Sequence, residues 1–229
     1  MHPLDNIIWH ALTTRQAEFA QSFGEARRFV PEVGPLAAFL EPNDAGYESL
    51  AGLVTTTGTM AVFLDSPYQP RRGWSVVAGA PLLQMAHSGT EIADSDRGVA
   101  ADTIIELGTP DSPEMVALAA LTKPGPFGPR THELGNFFGI RYEGRLVAMA
   151  GERMKVPGHT EVSAVCTHPQ HTGHRYAAAL MTRVMQGIVK RGEVPFLHVR
   201  GDNLRAIELY KRLGFRERKS GYFVVLRRE

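Results

Sequence analysis

Residues 161–189 constrain the fold of this chain most strongly, because a strand pattern gives way there to a helical one. Residues 160–167 are largely apolar over the length of a strand, and Pro169 cannot donate the next ladder hydrogen bond. Beyond it, apolar residues recur every four positions in two sets, which are Leu180, Val184, Ile188 and Met181, Met185, Val189. The pattern predicts a strand, a turn and an amphipathic helix that ends at Gly192.

The predicted turn, residues 170–178, contains one glycine and several small residues where a helix presents unpaired N–H groups, an arrangement that can bind phosphate. Within it, residues 172–177 read Thr-Gly-His-Arg-Tyr-Ala. This window resembles the signature of the GNAT superfamily of N-acetyltransferases: a strand, then Arg or Gln, two residues, Gly, one residue, and Gly or Ala, opening a helix. Two positions depart from the signature, since Thr172 stands where Arg or Gln is usual and Arg175 where Gly is usual.

A second pattern follows the strand-like residues 194–200 and is similar to the other hallmark of that family. It consists of an Asn, an Ala three residues on and a Tyr four later, followed by Leu-Gly-Phe. The matching residues are Asn203, Ala206, Tyr210, Leu213, Gly214 and Phe215. Both hallmarks occur in the family's order, so the resemblance covers residues 99–229.

The resemblance implies acetyl-CoA-dependent N-acetylation of a primary amine, by direct transfer through a tetrahedral intermediate. A protonated amine must first lose a proton, and family members often carry a base glutamate on the central strand, which here is Glu161. Tyr210 matches the tyrosine that commonly protonates the leaving sulfur. Two alternatives stay open: Glu161 as a strand-edge surface charge, and Tyr210 as a packed core residue.

The resemblance also implies where the cosubstrate acetyl-CoA binds. Backbone groups of Val165, Cys166 and Thr167 would contact its thioester and pantetheine arm. The phosphates would meet the turn and the start of the helix, at Thr172, Gly173, His174, Arg175, Tyr176, Ala177 and Ala178. The Arg175 guanidinium would add a charge for a phosphate, and Asn203, Ala206 and Tyr210 complete the coenzyme A contacts.

Two rival interpretations rest on the same residues. Cys166, His168, His171 and His174 have the side-chain types of a transition-metal site, but a strand end followed by a tight turn would scatter them, so no metal is expected. Thr172 and Arg175 favour the other alternative, a catalytically degenerate protein that binds or senses acyl-CoA without turnover.

Net charge, cysteine count and the length of apolar runs limit the classes of partner that we expect. Twenty-five Lys and Arg balance 24 Asp and Glu, so the chain has no polyanion footprint and nucleic acid is not expected as a partner. Cys166 is the single cysteine, and no run approaches a membrane-spanning length, so we expect a cytoplasmic protein without membrane contact. The oligomeric state stays open, with a homodimer as one alternative.

The fold class predicted is α/β (α+β): a GNAT-like mixed, mostly antiparallel sheet flanked by helices over residues 99–229, and an additional amino-terminal α/β region over residues 1–98. One interpretation makes that region a degenerate half-copy, because strand-like residues 60–64 and 74–78 echo the hairpin predicted at residues 136–142 and 145–151. Residues 82–86 predict a third strand, residues 6–23 one or two helices, and residues 93–98 a boundary loop. We expect the first region to wall a pocket for a small-molecule amine or amino acid.

Overall fold

The structure, a computed structural model, describes residues 2–54, 58–89, 91–92, 99–100 and 103–229. The helices are α1 (Ile7–Thr13), α2 (Asp44–Ala51), α3 (Ser112–Thr122), α4 (Tyr176–Lys190) and α5 (Leu204–Arg212). The strands are β1 (Ala20–Phe23), β2 (Ala26–Phe29), β3 (Ala37–Phe39), β4 (Thr59–Leu64), β5 (Trp74–His87), β6 (Ile104–Leu107), β7 (Phe137–Tyr142), β8 (Arg145–Val156), β9 (His159–Thr167), β10 (Val194–Arg200) and β11 (Phe215–Arg228). The boundary loop predicted at residues 93–98 lies outside the described residues.

One large sheet organises the molecule. Its eight strands lie in the order β4-β11-β5-β10-β9-β8-β7-β6. Neighbouring strands run antiparallel except β9 and β10, which are parallel. The predicted mixed, mostly antiparallel sheet flanked by helices is therefore confirmed.

The amino-terminal region contributes both to this sheet and to a second one. Strands β1, β2 and β3 form a separate three-stranded sheet, whereas β4 and β5 belong to the large sheet. Strand β5 lies between β10 and β11 and pairs with β11 along nearly its whole length. Residues from both sides of position 98 thus share one sheet.

Strand β5 is continuous where the sequence predicts two strands broken at residues 79–81. Pro81 is tolerated inside it because of where the neighbouring strand ends. Its carbonyl oxygen accepts a hydrogen bond from the Gly201 N–H, just beyond the end of β10, so the missing N–H faces a side on which the ladder has stopped.

Residues 6–23 are only partly helical. Helix α1 ends at Thr13, and the last four residues form β1, which pairs with β2 through a turn at Gly24. Gly24 has φ of +48°, a conformation that permits the tight reversal. Pairing with β2 therefore decides a segment whose local apolar spacing predicts helix. The hairpin predicted between β7 and β8 is confirmed, with positive φ at both Glu143 and Gly144.

The two faces of the large sheet carry different helices. In β8, alternate residues point to opposite faces: Ala148 packs with α4 and α5, whereas Met149 packs with α3. Residues of α1 share a buried cluster with Phe196 of β10. The next residue, Leu197, points to the other face and belongs to the cluster of α4 and α5. The face that carries α4 and α5 is called the α4 face, and the face that carries α1 and α3 is called the α1 face. Among the helices that the structure describes, none combines the length and the apolar character of a membrane span.

Candidate active site

Strands β9 and β10 separate in the middle of the sheet. Their parallel ladder has three pairs, of which Phe196 with Glu161 is the last in the described part of the chain. Beyond that pair β9 continues to Thr167 and β10 to Arg200 without pairing to each other. Backbone groups along the facing edges are therefore left available to a bound molecule. We call this gap the β9–β10 opening.

A β-bulge lies in β9 beside the opening. Met149 pairs with Cys166 and Gly151 with Ser163, so two residues of β9, Ala164 and Val165, oppose one residue of β8. Ala164 takes φ of +53°, which is unusual for a residue with a side chain. The bulge turns the backbone of Val165, Cys166 and Thr167 relative to the preceding ladder. These are the three residues predicted to contact the thioester and the pantetheine arm.

The N-cap residue of α4 does not cap the helix with its side chain. This residue, Arg175, has φ of +61°. The N–H groups of Tyr176, Ala177 and Ala178 form the first turn. A long helix with an uncapped first turn attracts an anion through its N–H groups and its dipole. The left-handed backbone at Arg175 also explains why the family signature has Gly at this position.

The rest of the predicted phosphate turn lies on the surface before α4. The Thr172 hydroxyl donates to the carbonyl of Pro169 at 3.2 Å, and Gly173 has φ of +89°. The rings of His174 and Tyr176 stack with centroids 5.4 Å apart. All seven residues predicted to meet the phosphates therefore surround one helix end.

The second hallmark folds as predicted around α5. The Asn203 side chain accepts a hydrogen bond from the Ala206 N–H at 3.2 Å, so Asn203 caps the helix. Tyr210, on the same helix, is buried in the cluster shared with α4, and its ring meets Phe215 edge-on. Burial raises the pKa of Tyr210 to about 12, so the hydroxyl keeps its proton at neutral pH.

Glu161 is not a surface charge. Its side chain is fully buried on the α1 face and accepts two hydrogen bonds of 2.8 Å from Arg153. Burial alone would raise the pKa of Glu161, but the charge and hydrogen bonds of Arg153, with a further bond from His198, lower it to about 2. A carboxylate so well paired is a weak proton acceptor. Glu161 and Tyr210 lie on opposite faces of the sheet.

His198 is the residue of this site that sequence reasoning missed. It follows Phe196 by two positions in β10, so it points to the α1 face beside the last pair with β9. Its Nδ1 lies 2.7 Å from Oε1 of Glu161, and its Nε2 lies 3.1 Å from the side-chain nitrogen of Gln84. The sequence signal that could have revealed His198 is a polar residue two positions after Phe196, on the same face of a largely buried strand.

A cavity of about 280 Å³ opens on the α1 face, and His198 forms part of its wall. Its wall includes Phe39, Tyr47, Phe63, Tyr68, Gln84 and His198. Most of this wall comes from residues 1–98. The Tyr68 hydroxyl is buried without a hydrogen-bond partner in the described structure. The two wall cations are paired, Lys219 with Asp65 and Arg71 with Asp44.

The cysteine and histidine cluster stays dispersed. Cys166 is buried, and burial raises the pKa of its thiol to about 11, which suits an apolar filler better than a nucleophile. His168 and His171 have ring centroids 5.6 Å apart. Among the residues that the structure describes, no group of three or more His, Cys, Asp or Glu side chains is arranged to hold a metal ion.

Comparison with known proteins identifies the family to which the chain belongs. Residues 137–224 match the family model of FR47-like proteins. A crystal structure of a GNAT-family protein from Novosphingobium aromaticivorans is 39% identical, with 100% of both chains covered and a TM-score of 0.91. A GCN5-related N-acetyltransferase from Kribbella flavida shares the fold at 18% identity, covering 96% of this chain and 95% of that one, with a TM-score of 0.59. No curated protein sequence gave a match. With a β9–β10 opening, an uncapped α4 and a full-length relative at that identity, the chain belongs to the GNAT family of acetyltransferases.

Proposed function

We propose that this protein transfers the acetyl group of acetyl-CoA to the primary amine of a small molecule or amino acid. The observation that carries the proposal is the end of the β9–β10 ladder directly beside the bulge at Ala164. A thioester in the opening would have the α4 face on one side and the cavity on the other. Cosubstrate and acceptor could thus approach the same point from opposite faces of the sheet.

The residues at α4 suit the pyrophosphate of coenzyme A. The N–H groups of residues 173–178 supply donors, and the Arg175 guanidinium supplies a charge. In the opening, the backbone of Val165, Cys166 and Thr167 supplies further donors and acceptors. Bound there, acetyl-CoA provides an activated acetyl group and a thiolate leaving group.

Tyr210 is the proposed proton donor to the leaving sulfur. The Tyr210 hydroxyl carries its proton at neutral pH, as a proton donor must, and its position fits the family pattern that begins at Asn203. Glu161, expected as the base, contributes in this proposal through His198, because its own oxygens are held by Arg153.

The acceptor is proposed to occupy the cavity on the α1 face. A volume of about 280 Å³ fits a small molecule, and a protein tail would need an open groove instead. The wall cations are already paired, so no strongly anionic acceptor is required. We also propose that the protein is located in the cytoplasm, in keeping with its single cysteine.

Calorimetric titration of acetyl-CoA tests the cosubstrate site. Ala177→Glu places a carboxylate in the first turn of α4, where it would repel phosphate, and should abolish measurable binding. Gln186→Glu is the matched control, since it adds the same charge farther along the same helix and should bind as the parent does. Equal affinities in the parent and both folded variants would contradict the proposed site.

Binding without turnover would favour the alternative function, an acyl-CoA sensor. The unusual residues at 172 and 175 are its support. Free-thiol release in the presence of amines separates the two functions, because only an enzyme consumes acetyl-CoA.

A further inference from the structure

We infer that His198 is the group that accepts the proton of the attacking amine, and that Glu161 positions it. The inference rests on the proposed function and deepens it, since it assigns the base of the same site. It arises from contacts that join β8, β9, β10 and β5 on the α1 face, beside the opening.

Glu161 fixes one nitrogen of the His198 ring. The carboxylate oxygen that lies 2.7 Å from Nδ1 also accepts from Arg153, and the other carboxylate oxygen accepts from Arg153 and from the Met154 N–H. Glu161 is thus an ionised acceptor with every partner in place, and the Nδ1–H of His198 donates to it. The ring is held in the tautomer whose Nε2 carries a lone pair.

Gln84 confirms that tautomer from the other side. The guanidinium of Arg218 donates to the Gln84 side-chain oxygen at 2.7 Å, so the amide nitrogen must be the atom facing Leu4 and His198. That nitrogen donates to the Leu4 carbonyl at 2.9 Å and to Nε2 of His198 at 3.1 Å. Nε2 is therefore an acceptor.

The lone pair of Nε2 faces the acceptor side. His198 and Gln84 both belong to the cavity wall, and His198 is the first residue of the α1 face beyond the last β9–β10 pair. Gln84 is a neutral donor at the long end of the hydrogen-bond range, so an incoming amine can take its place. The amine would then lie between the thioester and Nε2.

Charged groups pack around the His198 ring and the residues that contact it. Glu161 on β9 carries a negative charge beside the ring, and Arg153 on β8, paired with Glu161, carries a positive one. On β11 the guanidinium of Arg218 reaches Gln84 and is paired with Asp5 before α1. The ring of Phe63 on β4 packs against His198 with centroids 4.8 Å apart. The ring is buried and its charged surroundings are close to balanced.

Acetyl transfer moves one proton to His198 and one proton from Tyr210. The free amine attacks the carbonyl carbon of the thioester, the C–N bond forms, and one N–H proton passes to Nε2 of His198. The C–S bond breaks with its electron pair on sulfur, which takes the hydroxyl proton of Tyr210. Exchange with water then returns the imidazolium and the phenolate to their neutral forms.

Steady-state kinetics of His198→Gln across pH test this role, using acetyl-CoA and whichever small primary amine of a panel the parent acetylates fastest. We expect kcat to fall about 100-fold or more, with the KM for acetyl-CoA unchanged. The acidic limb of the kcat profile should also disappear. Added imidazole should restore part of the rate of His198→Ala. His87→Gln is the matched control, because His87 is also buried but its ring contacts the Gly89 carbonyl.

Glu161→Gln tests the positioning role separately. In protein that still binds coenzyme A, it should lower kcat and shift the acidic limb, without changing the KM for acetyl-CoA. A structural role alone would leave the pH profile in place.

A His198→Gln variant that keeps kcat within about twofold and retains the acidic limb would overturn the inference while leaving the proposed function intact. A parent that acetylates no amine would overturn both. If substitution prevents folding, nitrogen NMR of the parent decides the matter. The His198 signals must show the proton on Nδ1 and must shift when the amine is added with coenzyme A, and unchanged signals would overturn the assignment.

Discussion

Arg153 holds the carboxylate of Glu161 through two parallel hydrogen bonds of 2.8 Å, in a pair that is almost sealed from water. The pair joins neighbouring strands at the vertex of the β9–β10 opening. It therefore serves two purposes: it stabilises the sheet where a ladder ends, and it keeps ionised the oxygen that faces His198.

Loss of this pair should destabilise the protein. Glu161→Gln leaves the Arg153 charge buried without its partner, and we expect the free energy of unfolding at pH 7 to fall by about 3–5 kcal/mol. Denaturant unfolding of parent and variant measures this. Asp202→Asn is the control, since the Arg200–Asp202 pair is exposed and its loss should cost below about 1 kcal/mol.

The same pair predicts a pH dependence of stability. The folded-state pKa of Glu161, about 2, lies below the ordinary value of 4.5, so its contribution is present above pH 4.5 and is lost as pH falls toward 2. The stability difference between parent and Glu161→Gln should shrink over that interval. A difference that stays constant from pH 6 to pH 2 would show that the carboxylate is not ionised in the folded protein.

Arg175→Gly should change stability and affinity in opposite directions. Glycine relieves the left-handed backbone, which costs other residues about 1–2 kcal/mol, so thermal stability should rise. Coenzyme A binding should weaken by about 1–3 kcal/mol through loss of the phosphate contact, and by less at high salt. Glu143→Gly, at the turn after β7, should give the stability gain alone. Tighter coenzyme A binding in Arg175→Gly would mean that the arginine obstructs the site.

Tyr210→Phe removes only the proposed acid. We expect kcat to fall about 100-fold while calorimetric affinity for acetyl-CoA stays close to that of the parent, because the ring and its packing on Phe215 remain. Tyr142→Phe, at an exposed tyrosine, should leave both quantities unchanged. A Tyr210→Phe variant with the parent kcat would remove Tyr210 from the mechanism.

Tyr68→Phe tests the acceptor cavity. The buried Tyr68 hydroxyl has no protein partner in the described structure, which carries a cost of about 1–3 kcal/mol that a bound acceptor could offset. The substitution should keep or raise the stability of the free protein and raise the KM of the acceptor, with the KM of acetyl-CoA unchanged. An unchanged acceptor KM would place the acceptor elsewhere.

Local patterns were sufficient where neighbours in sequence decide the structure. The strand, turn and helix at residues 160–190 follow from apolar spacing and from Pro169, and the Asn203 cap from the start of its helix. The family resemblance added the residues of β9, Val165, Cys166 and Thr167, at which the cosubstrate is expected to bind. These features depend on contacts within a few residues, so a single sequence can reveal them.

Features that depend on distant residues could not be predicted. The partners of His198 lie on other strands: Gln84 is separated from it by 114 positions and Glu161 by 37. Strand β5 depends on its place between β10 and β11, which its own sequence does not disclose. The buried state of Glu161 likewise follows from Arg153, whose strand continues beyond the predicted end at residue 151. Such facts arise from the assembled sheet.

Amine-dependent release of free thiol from acetyl-CoA is the decisive measurement for the proposed acetyltransferase activity. The parent protein would be incubated with acetyl-CoA and a panel of small primary amines, and the acetylated products identified by mass spectrometry. We expect thiol release and a matching N-acetylated product for at least one amine, with both lost in Ala177→Glu and retained in Gln186→Glu. Tight coenzyme A binding with no product from any amine would contradict the proposed acetyltransferase activity and would favour the acyl-CoA sensor.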